Sequence, residues 1–249
     1  MDKYGLVGYP LGHSFSRQFF TEKFSREGID AVYENYELPD VSTLRKMIDE
    51  TPELRGLNVT IPHKQAVIPL LDSLSEEARE IGAVNVIRIT HRSNGTTHLE
   101  GHNSDFIGFT KSIKPLLLQN HHNALILGTG GASRAVCFAL TRMGIRWQYV
   151  SRTRRPGILS YEDLTPELIQ QYQIIVNCTP TGMYPHVDEA PPLPYDALTP
   201  QHLLFDLIYN PEQTRFMQLG ALQGATVKNG LEMLHQQALS AWEIWNQKT

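Results

Sequence analysis

Short apolar segments, separated by glycine, proline and polar residues, follow one another through the first hundred residues of the chain. Their spacing predicts strands at residues 4–9, 32–38, 56–59 and 83–89. It predicts helices from residue 15 to Gly28, at residues 41–50, from about residue 63, and at residues 75–81. The pair Asn94-Gly95 between two strand-like arms predicts a β-hairpin. Alternation of strands with helices indicates a largely parallel sheet that is covered on both faces.

A second α/β unit begins after a helical connection at residues 104–118. It opens with an apolar strand at residues 124–127, a glycine-rich turn and a helix that Gly144 ends. The segments "RWQYVSRT", "QIIVNCTPTGM" and "HLLFDLIYN" predict three further strands, and residues 154–171 leave only short pieces. Residues 230–247 predict an amphipathic helix whose apolar face holds Leu231, Leu234, Ala238, Ala241 and Trp245.

Composition narrows the class of protein. The 249 residues suffice for one large domain or two ordinary ones, and 41% apolar with 19% charged residues is typical of a folded globular chain. A net charge of -4 without a long basic run argues against nucleic acid as a partner. No segment approaches the roughly 18 apolar residues of a membrane span, and the N-terminus lacks the pattern of a signal peptide. We therefore expect a cytoplasmic protein in which Cys137 and Cys178 are reduced thiols.

A glycine-rich turn joins the strand at residues 124–127 to the following helix. The turn consists of Gly128, Thr129, Gly130, Gly131, Ala132 and Ser133. Glycine at such a place lets backbone N–H groups approach a pyrophosphate, and the helix N-terminus adds partial positive charge. A tight strand-to-helix turn also needs glycine without any ligand, but the flanking strand and helix favour nucleotide binding.

The next strand ends in the basic segment Ser151-Arg152-Thr153-Arg154-Arg155. A unit that binds NAD usually carries an acidic residue near this point, which holds the ribose 2′-hydroxyl. Arginines suit a 2′-phosphate instead, because they form charge-assisted hydrogen bonds with it. A solvated basic turn is the alternative. The segment favours NADP as the cofactor.

Polar side chains crowd the carboxyl end of the strand at residues 56–59. Asn58, Thr60 and Lys64 follow one another in "LNVTIPHK", where an amide, a hydroxyl and an amine come together. Asn58 and Thr60 can also serve only to tie down the loop, and a lysine on a helix is usually a solvated charge. The crowding nevertheless indicates the beginning of a site.

Nine segments together resemble the shikimate dehydrogenase family over nearly the whole chain. They are "GYPLGHSFS", "LNVTIPHK", "GAVNVI", "GHNSDFIGF", "LGTGGASRA", "SRT", "VNCTPTGM", "FDLIYNPEQT" and "NGLEMLHQQA". Several ordered motifs at family-like spacing are far more specific than any one of them. The resemblance implies an oxidoreductase that reversibly reduces 3-dehydroshikimate to shikimate with NADPH, in the biosynthesis of chorismate and aromatic amino acids.

The resemblance also implies roles for particular residues. Lys64 matches the family's catalytic lysine, and Asp105 matches the aspartate that is its partner. The implied substrate-binding residues are Ser14, Ser16, Asn58, Thr60, Asn85, Asp105, Tyr209 and Gln237. The implied cofactor-binding residues are Gly128, Thr129, Gly130, Gly131, Ala132, Ser151, Arg152, Thr153, Arg154, Thr179, Met183, Ile208 and Gly230. The ten histidines form no convincing ligand set, so we expect no metal.

The implied architecture is α/β with two domains. Residues 1–104 with 230–249 are expected to form the substrate domain, and residues 105–229 the Rossmann-type dinucleotide domain, with a deep cleft between them. We expect a monomer or a homodimer. Two alternatives stay open: an enzyme that accepts quinate or uses NAD, and a non-catalytic module that binds a metabolite on the same scaffold.

Overall fold

Two separate six-stranded sheets organise the chain in the computed structural model, which describes residues 1–12, 15–93 and 95–247. One unit comprises Met1–Ser104 with Gln237–Thr249, and the other comprises Asp105–Gln236. The second border therefore lies inside the last helix, and residues 230–236, expected in the first domain, group with the second unit. The physical reason is local packing, because Met233 is buried in one cluster with Phe109 and Ile126.

Within the described residues, the first unit contains six strands, four complete helices and the end of the last helix. Its elements are β1 (Asp2–Gly8), α1 (Phe15–Glu27), β2 (Ala31–Glu37), α2 (Leu44–Asp49), β3 (Leu54–Val59), α3 (His63–Ala66), β4 (Ser73–Leu74), α4 (Glu76–Ile81), β5 (Val86–His91) and β6 (Thr97–His102). The helix expected from about residue 63 is a single turn, and a 3₁₀ turn at Val41–Thr43 precedes α2. Each strand prediction in this unit finds a strand, with shifted ends.

The first sheet is mixed and not uniformly parallel. Its order is β2-β1-β3-β5-β6-β4, in which β1 runs parallel to β2 and β3, while β5 runs antiparallel to β3 and β6. The β5–β6 hairpin is where the Asn94-Gly95 pair predicted one, although Asn94 itself lies outside the described residues. A connection this short permits only antiparallel neighbours. The hairpin therefore explains why β6 runs antiparallel to β5.

The second unit has the strand order of a dinucleotide-binding fold. Its elements are α5 (Asp105–Ile113), β7 (Asn123–Leu127), α6 (Gly131–Arg142), β8 (Arg146–Ser151), β9 (Ile158–Ser160), α7 (Pro166–Ile169), β10 (Ile174–Asn177), β11 (Leu203–Asp206), α8 (Arg215–Leu222) and β12 (Thr226–Lys228). All strands are parallel, in the order β12-β11-β10-β7-β8-β9. The order reverses between β7 and β10, and ligands of such sheets bind outside the strands' carboxyl ends at that point. The sequence pattern did not predict α8 or β12.

The last helix, α9 (Leu231–Trp245), ends on the first sheet. The Trp245 ring lies 4.9 Å from the Tyr4 ring and 5.2 Å from the Phe20 ring, and its Nε1–H donates to the Ile87 carbonyl at 3.1 Å. Gly56 lies beneath the indole, and a Cβ at that position would overlap the ring. The buried face of α9 comprises Met233, Ala238, Ala241, Ile244 and Trp245, whereas the predicted member Leu231 is 37% exposed. Every helix within the described residues is too short or too polar to cross a membrane.

Gly56→Ala tests the packing of Trp245. We expect this change to lower the free energy of unfolding by about 1–3 kcal/mol, because the added methyl displaces a large ring from a filled core. Chemical denaturation followed by tryptophan fluorescence measures the loss.

Gly12→Ala is the matched control, because a Cβ there meets no atom within 4 Å. It should leave the unfolding free energy nearly unchanged. Equal stability of the two variants would show that the first unit accommodates a side chain beneath the indole.

Candidate functional site

The turn after β3 holds Lys64 in a fixed place. Thr60 N–H donates to the Val7 carbonyl at 2.9 Å, which continues the pairing of β3 with β1. The buried His63 closes the turn, since its N–H donates to the Thr60 carbonyl at 2.9 Å and its Nε2–H donates to the Leu38 carbonyl at 2.6 Å. The Lys64 carbonyl in turn accepts from Val84 N–H at 2.7 Å. Lys64 is therefore anchored through its backbone, and its side chain is half-buried.

Several predicted substrate residues belong to one chain of hydrogen bonds in the first unit. The Tyr33 hydroxyl donates to Asn58 Oδ1 at 2.8 Å. Asn58 Nδ2 donates to the Asn85 carbonyl at 3.3 Å. Burial raises the pKa of Tyr33, so its hydroxyl keeps its proton at any physiological pH.

Asn85 extends this chain to the last helix. Its Oδ1 accepts from Ser104 N–H at 2.7 Å, and its Nδ2 donates to Ser104 Oγ at 3.1 Å and to Gln237 Oε1 at 3.4 Å. We call the five linked residues the first-unit polar network: Tyr33, Asn58, Asn85, Ser104 and Gln237. The network joins β2, β3 and α9, and it presents hydroxyl and amide groups near the carboxyl end of β3.

The two predicted catalytic residues fall in different units. Lys64 belongs to the first unit, and Asp105 is the buried first residue of α5 in the second. Their pairing stays a prediction. Ser14, predicted with Ser16 to bind a carboxylate, lies outside the described residues.

The glycine-rich turn of the second unit fits a phosphate group. Gly128 has a φ of 97°, in the left-handed region, and a Cβ there would lie 2.9 Å from Thr179 Cγ2. A Cβ on Gly130 would meet no atom within 4 Å, so the turn is open above this residue. Ser133 Oγ donates to the Gly130 carbonyl at 2.7 Å and holds the first turn of α6. The N–H groups of this helix start, around Gly131 and Ala132, can bind a pyrophosphate.

A buried carboxylate organises the loops that follow β10 and β11. Asp206 accepts from Thr214 Oγ1 at 2.7 Å, Ile208 N–H at 3.0 Å and Asn177 Nδ2 at 3.1 Å. Asn177 Oδ1 accepts in turn from Thr179 Oγ1 at 2.6 Å and from Thr179 N–H at 3.0 Å. Burial raises the pKa of Asp206 to about 6, and its three hydrogen bonds act in the opposite direction. Thr179 and Ile208, both predicted to bind the cofactor, are thus positioned by one carboxylate.

The segment after β11 is also packed tightly against Gly230. Gly230 N–H donates to the Ile208 carbonyl at 3.0 Å, and a Cβ on Gly230 would overlap the Leu207 carbonyl. Only glycine fits there. The close packing therefore explains why residue 230 is glycine, independently of its predicted contact with the cofactor. Tyr209 follows on the surface at 38% exposure, and Met183 is exposed in the loop after β10.

The basic segment after β8 is a solvent-exposed turn. Ser151 Oγ donates to the Thr153 carbonyl at 2.6 Å and shapes the turn. Arg154 Nη1 lies 3.6 Å from Asp163 Oδ1, so one of the predicted phosphate ligands already has a carboxylate neighbour. Hydrogen bonds from Ser160 hold the pKa of that carboxyl below its usual value. Arg152 lies exposed in the same turn.

Sequence reasoning missed four residues that support these positions: Tyr33, His63, Asn177 and Asp206. Asp206 had a usable signal, because a carboxylate directly after the apolar run "LLF" is unusual for a buried strand. Tyr33 and His63 had none, since both look like ordinary strand and turn residues. Among residues 1–12, 15–93 and 95–247, no three His, Cys, Asp or Glu side chains form a group that could hold a metal ion.

A family model and full-length relatives match the chain. The model described as shikimate dehydrogenase substrate binding domain matches residues 6–87. The shikimate dehydrogenase (NADP(+)) of Desulforamulus reducens is 36% identical to this chain and covers 97% of it, with 88% of that protein aligned.

Two solved structures match the chain over nearly its whole length. The crystal structure of shikimate dehydrogenase from Aquifex aeolicus has a TM-score of 0.86 at 32% identity, covering 98% of this chain and 92% of that one. The Thermus thermophilus enzyme, solved in complex with NADP(H) and shikimate, has a TM-score of 0.85 at 30% identity, covering 99% and 94%. Sequence identity and fold thus agree over nearly the entire length, and the chain belongs to the shikimate dehydrogenase family.

Proposed function

We propose that this chain is an NADP-dependent shikimate dehydrogenase, which reversibly reduces 3-dehydroshikimate to shikimate in the biosynthesis of aromatic amino acids. The observation that carries the proposal is the first-unit polar network. A polyhydroxylated acid needs hydroxyl and amide donors at its carboxylate, and amides or a carboxylate at its ring hydroxyls. The network offers those groups in hydrogen-bonded positions.

Different residues of the first unit bind different groups of the substrate. Ser16, together with Ser14, binds the carboxylate, while Asn58, Thr60 and Asn85 bind ring hydroxyls. Gln237 is held by Asn85 at 3.4 Å and contributes a further amide. Two residues of the second unit, Asp105 and Tyr209, complete the set.

Proton transfer is assigned to Lys64. In the reductive direction its ammonium group donates a proton to the carbonyl oxygen of the substrate, where negative charge develops, and in oxidation the amine takes the proton back. Asp105 is assigned as the partner of Lys64 in this proton transfer. NADPH, when bound, supplies the hydride that reduces the carbonyl carbon.

The second unit holds the cofactor. The N–H groups at Gly130, Gly131 and Ala132 bind the pyrophosphate, and Thr129 and Thr179 flank the same turn. Ser151, Arg152, Thr153 and Arg154 bind the adenosine end, where the arginines take the 2′-phosphate. Met183, Ile208 and Gly230 are further residues that would contact the cofactor.

Turnover with defined pairs of substrate and cofactor tests the proposal. We expect the purified chain to oxidise shikimate with NADP⁺ far faster than shikimate with NAD⁺ or quinate with either cofactor. Absorbance at the reduced-nicotinamide band measures the rate. A preference for quinate with NAD⁺ would replace the proposal by the related quinate activity, and shikimate binding without turnover would favour a non-catalytic binding module.

Lys64→Ala tests the assignment of proton transfer. We expect kcat to fall about 10²–10⁴-fold with little change in the KM for shikimate, because the lost interaction forms mainly in the transition state. Steady-state kinetics with shikimate and NADP⁺ give both constants. Lys46→Ala is the control, since Lys46 is 77% exposed and 3.8 Å from Glu50. If the Lys64→Ala variant had the same kcat as the Lys46→Ala variant, Lys64 would not take part in proton transfer and would be only a charge near the site.

Arg152→Ala tests how the cofactor is selected. We expect NADPH to bind about ten- to a hundredfold more weakly while NADH binding stays nearly unchanged, because only NADPH carries the 2′-phosphate. Calorimetric Kd values for both cofactors measure the difference. Arg146→Ala is the control. Arg146 is the first residue of β8, whereas Arg152 follows the last residue of that strand, and the Arg146 side chain donates to Asn123. An equal loss for both cofactors would mean that Arg152 does not recognise the phosphate.

A further inference from the structure

The Tyr33 hydroxyl holds a residue that is assigned to the substrate. It donates to Asn58 Oδ1 at 2.8 Å. Tyr33 itself is only 4% exposed, so its access to a ligand is far more restricted than that of the half-buried Asn58. We therefore expect Tyr33 to affect a ligand through the Asn58 side chain.

The Tyr33 ring is held rigidly in the core of the first unit. It stacks on the fully buried Phe20 with ring centroids 4.8 Å apart and an angle of 11° between the planes, and the Trp245 ring lies 6.5 Å away. Its backbone is paired with Tyr4 in the β1–β2 ladder. The position of the Tyr33 hydroxyl is thus fixed, because the ring and the backbone of this residue are both constrained.

The hydrogen bonds of Asn58 leave its amide one favourable orientation. Oδ1 faces the hydroxyl of Tyr33, and Nδ2 faces the Asn85 carbonyl at 3.3 Å. A flipped amide would turn Oδ1 toward that carbonyl oxygen, where two acceptors repel each other. The longer of the two bonds alone holds the amide weakly, so the hydroxyl of Tyr33 contributes the stronger restraint.

We propose that Tyr33 is a positioning residue for the substrate, which fixes the Asn58 amide in the orientation that binds shikimate. This inference rests on the proposed function, because it takes Asn58 as a substrate ligand. With the amide fixed before binding, less rotational freedom is lost when the substrate arrives.

Tyr33→Phe removes the hydroxyl and keeps the stacked ring. We expect kcat/KM for shikimate to fall about three- to tenfold, the ratio that corresponds to one ordinary hydrogen bond. The KM for NADP⁺ should not change. The matched control is Tyr36→Phe on the same strand, where the lost hydroxyl donates to Glu34 Oε2 at 2.9 Å. It should leave kcat/KM for shikimate at the wild-type value.

A double-mutant cycle tests whether Tyr33 acts through Asn58. In an Asn58→Ala background, adding Tyr33→Phe should reduce kcat/KM by a smaller factor than it does in the wild type, because the amide that it orients is gone. The same factor in both backgrounds would overturn the positioning role. So would a parallel rise in the KM for NADP⁺, which would indicate general loosening of the protein.

The Asn58 side-chain amide gives a readout that needs no substrate. Its two N–H signals in the NMR spectrum should shift or broaden in Tyr33→Phe and stay unchanged in Tyr36→Phe. If the wild type did not turn over shikimate, the proposed function would fail, and the amide spectrum would still decide the orientation of Asn58. Unchanged Asn58 signals in Tyr33→Phe would overturn the inference whatever the activity.

Discussion

The packing of the Trp245 indole on Gly56 is the constraint on which the first unit depends. It brings the end of the chain onto a sheet built from the first hundred residues, and the hydrogen bond to Ile87 fixes the depth of the ring. Gln237 lies about two turns earlier on the same helix, so this contact also determines where the Gln237 amide meets Asn85. The polar network is therefore completed by a contact between residues that are 152 positions apart in the chain.

The second unit is organised by a charge where the first is organised by an aromatic ring. Burying a carboxylate is costly unless donors surround it, and Asp206 has three, from Asn177, Ile208 and Thr214. Because these donors come from the end of β10 and from the connection between β11 and α8, satisfying the carboxylate fixes these two segments relative to one another. Burial still raises the pKa of Asp206 to about 6, which shows that the hydrogen bonds offset the cost only in part.

In both units, residues outside the proposed site hold residues that are assigned to it. His63 closes the turn that carries Lys64, Asn177 fixes Thr179, and Tyr33 fixes Asn58. A site needs such support because small displacements of a reacting or binding group cost much of its effect. The supporting residues have no motif of their own, since any side chain that supplies the right donor at the right place can serve.

Local patterns in the sequence determined much of the fold. Apolar segments located the strands of both sheets except β4, β9 and β12, the Asn94-Gly95 pair located the β5–β6 hairpin, and the glycine turn located the start of α6. These features depend on residues a few positions apart, which is why the sequence alone is sufficient for them. The candidate ligands were found through motifs of a known family, and their pairings across units stay predictions.

Only the tertiary structure decided which surfaces meet. The periodicity of the last helix predicted an apolar face but not that Leu231 is exposed, nor that the helix divides between two units near residue 237. The spacing of the first strands did not distinguish a mixed sheet from a parallel one. Tyr33 and Gly56 derive their importance from partners 25 and more residues away. Periodicity indicates that a side chain is buried. The identity of its partner depends on how distant segments pack, and that is a property of the folded chain.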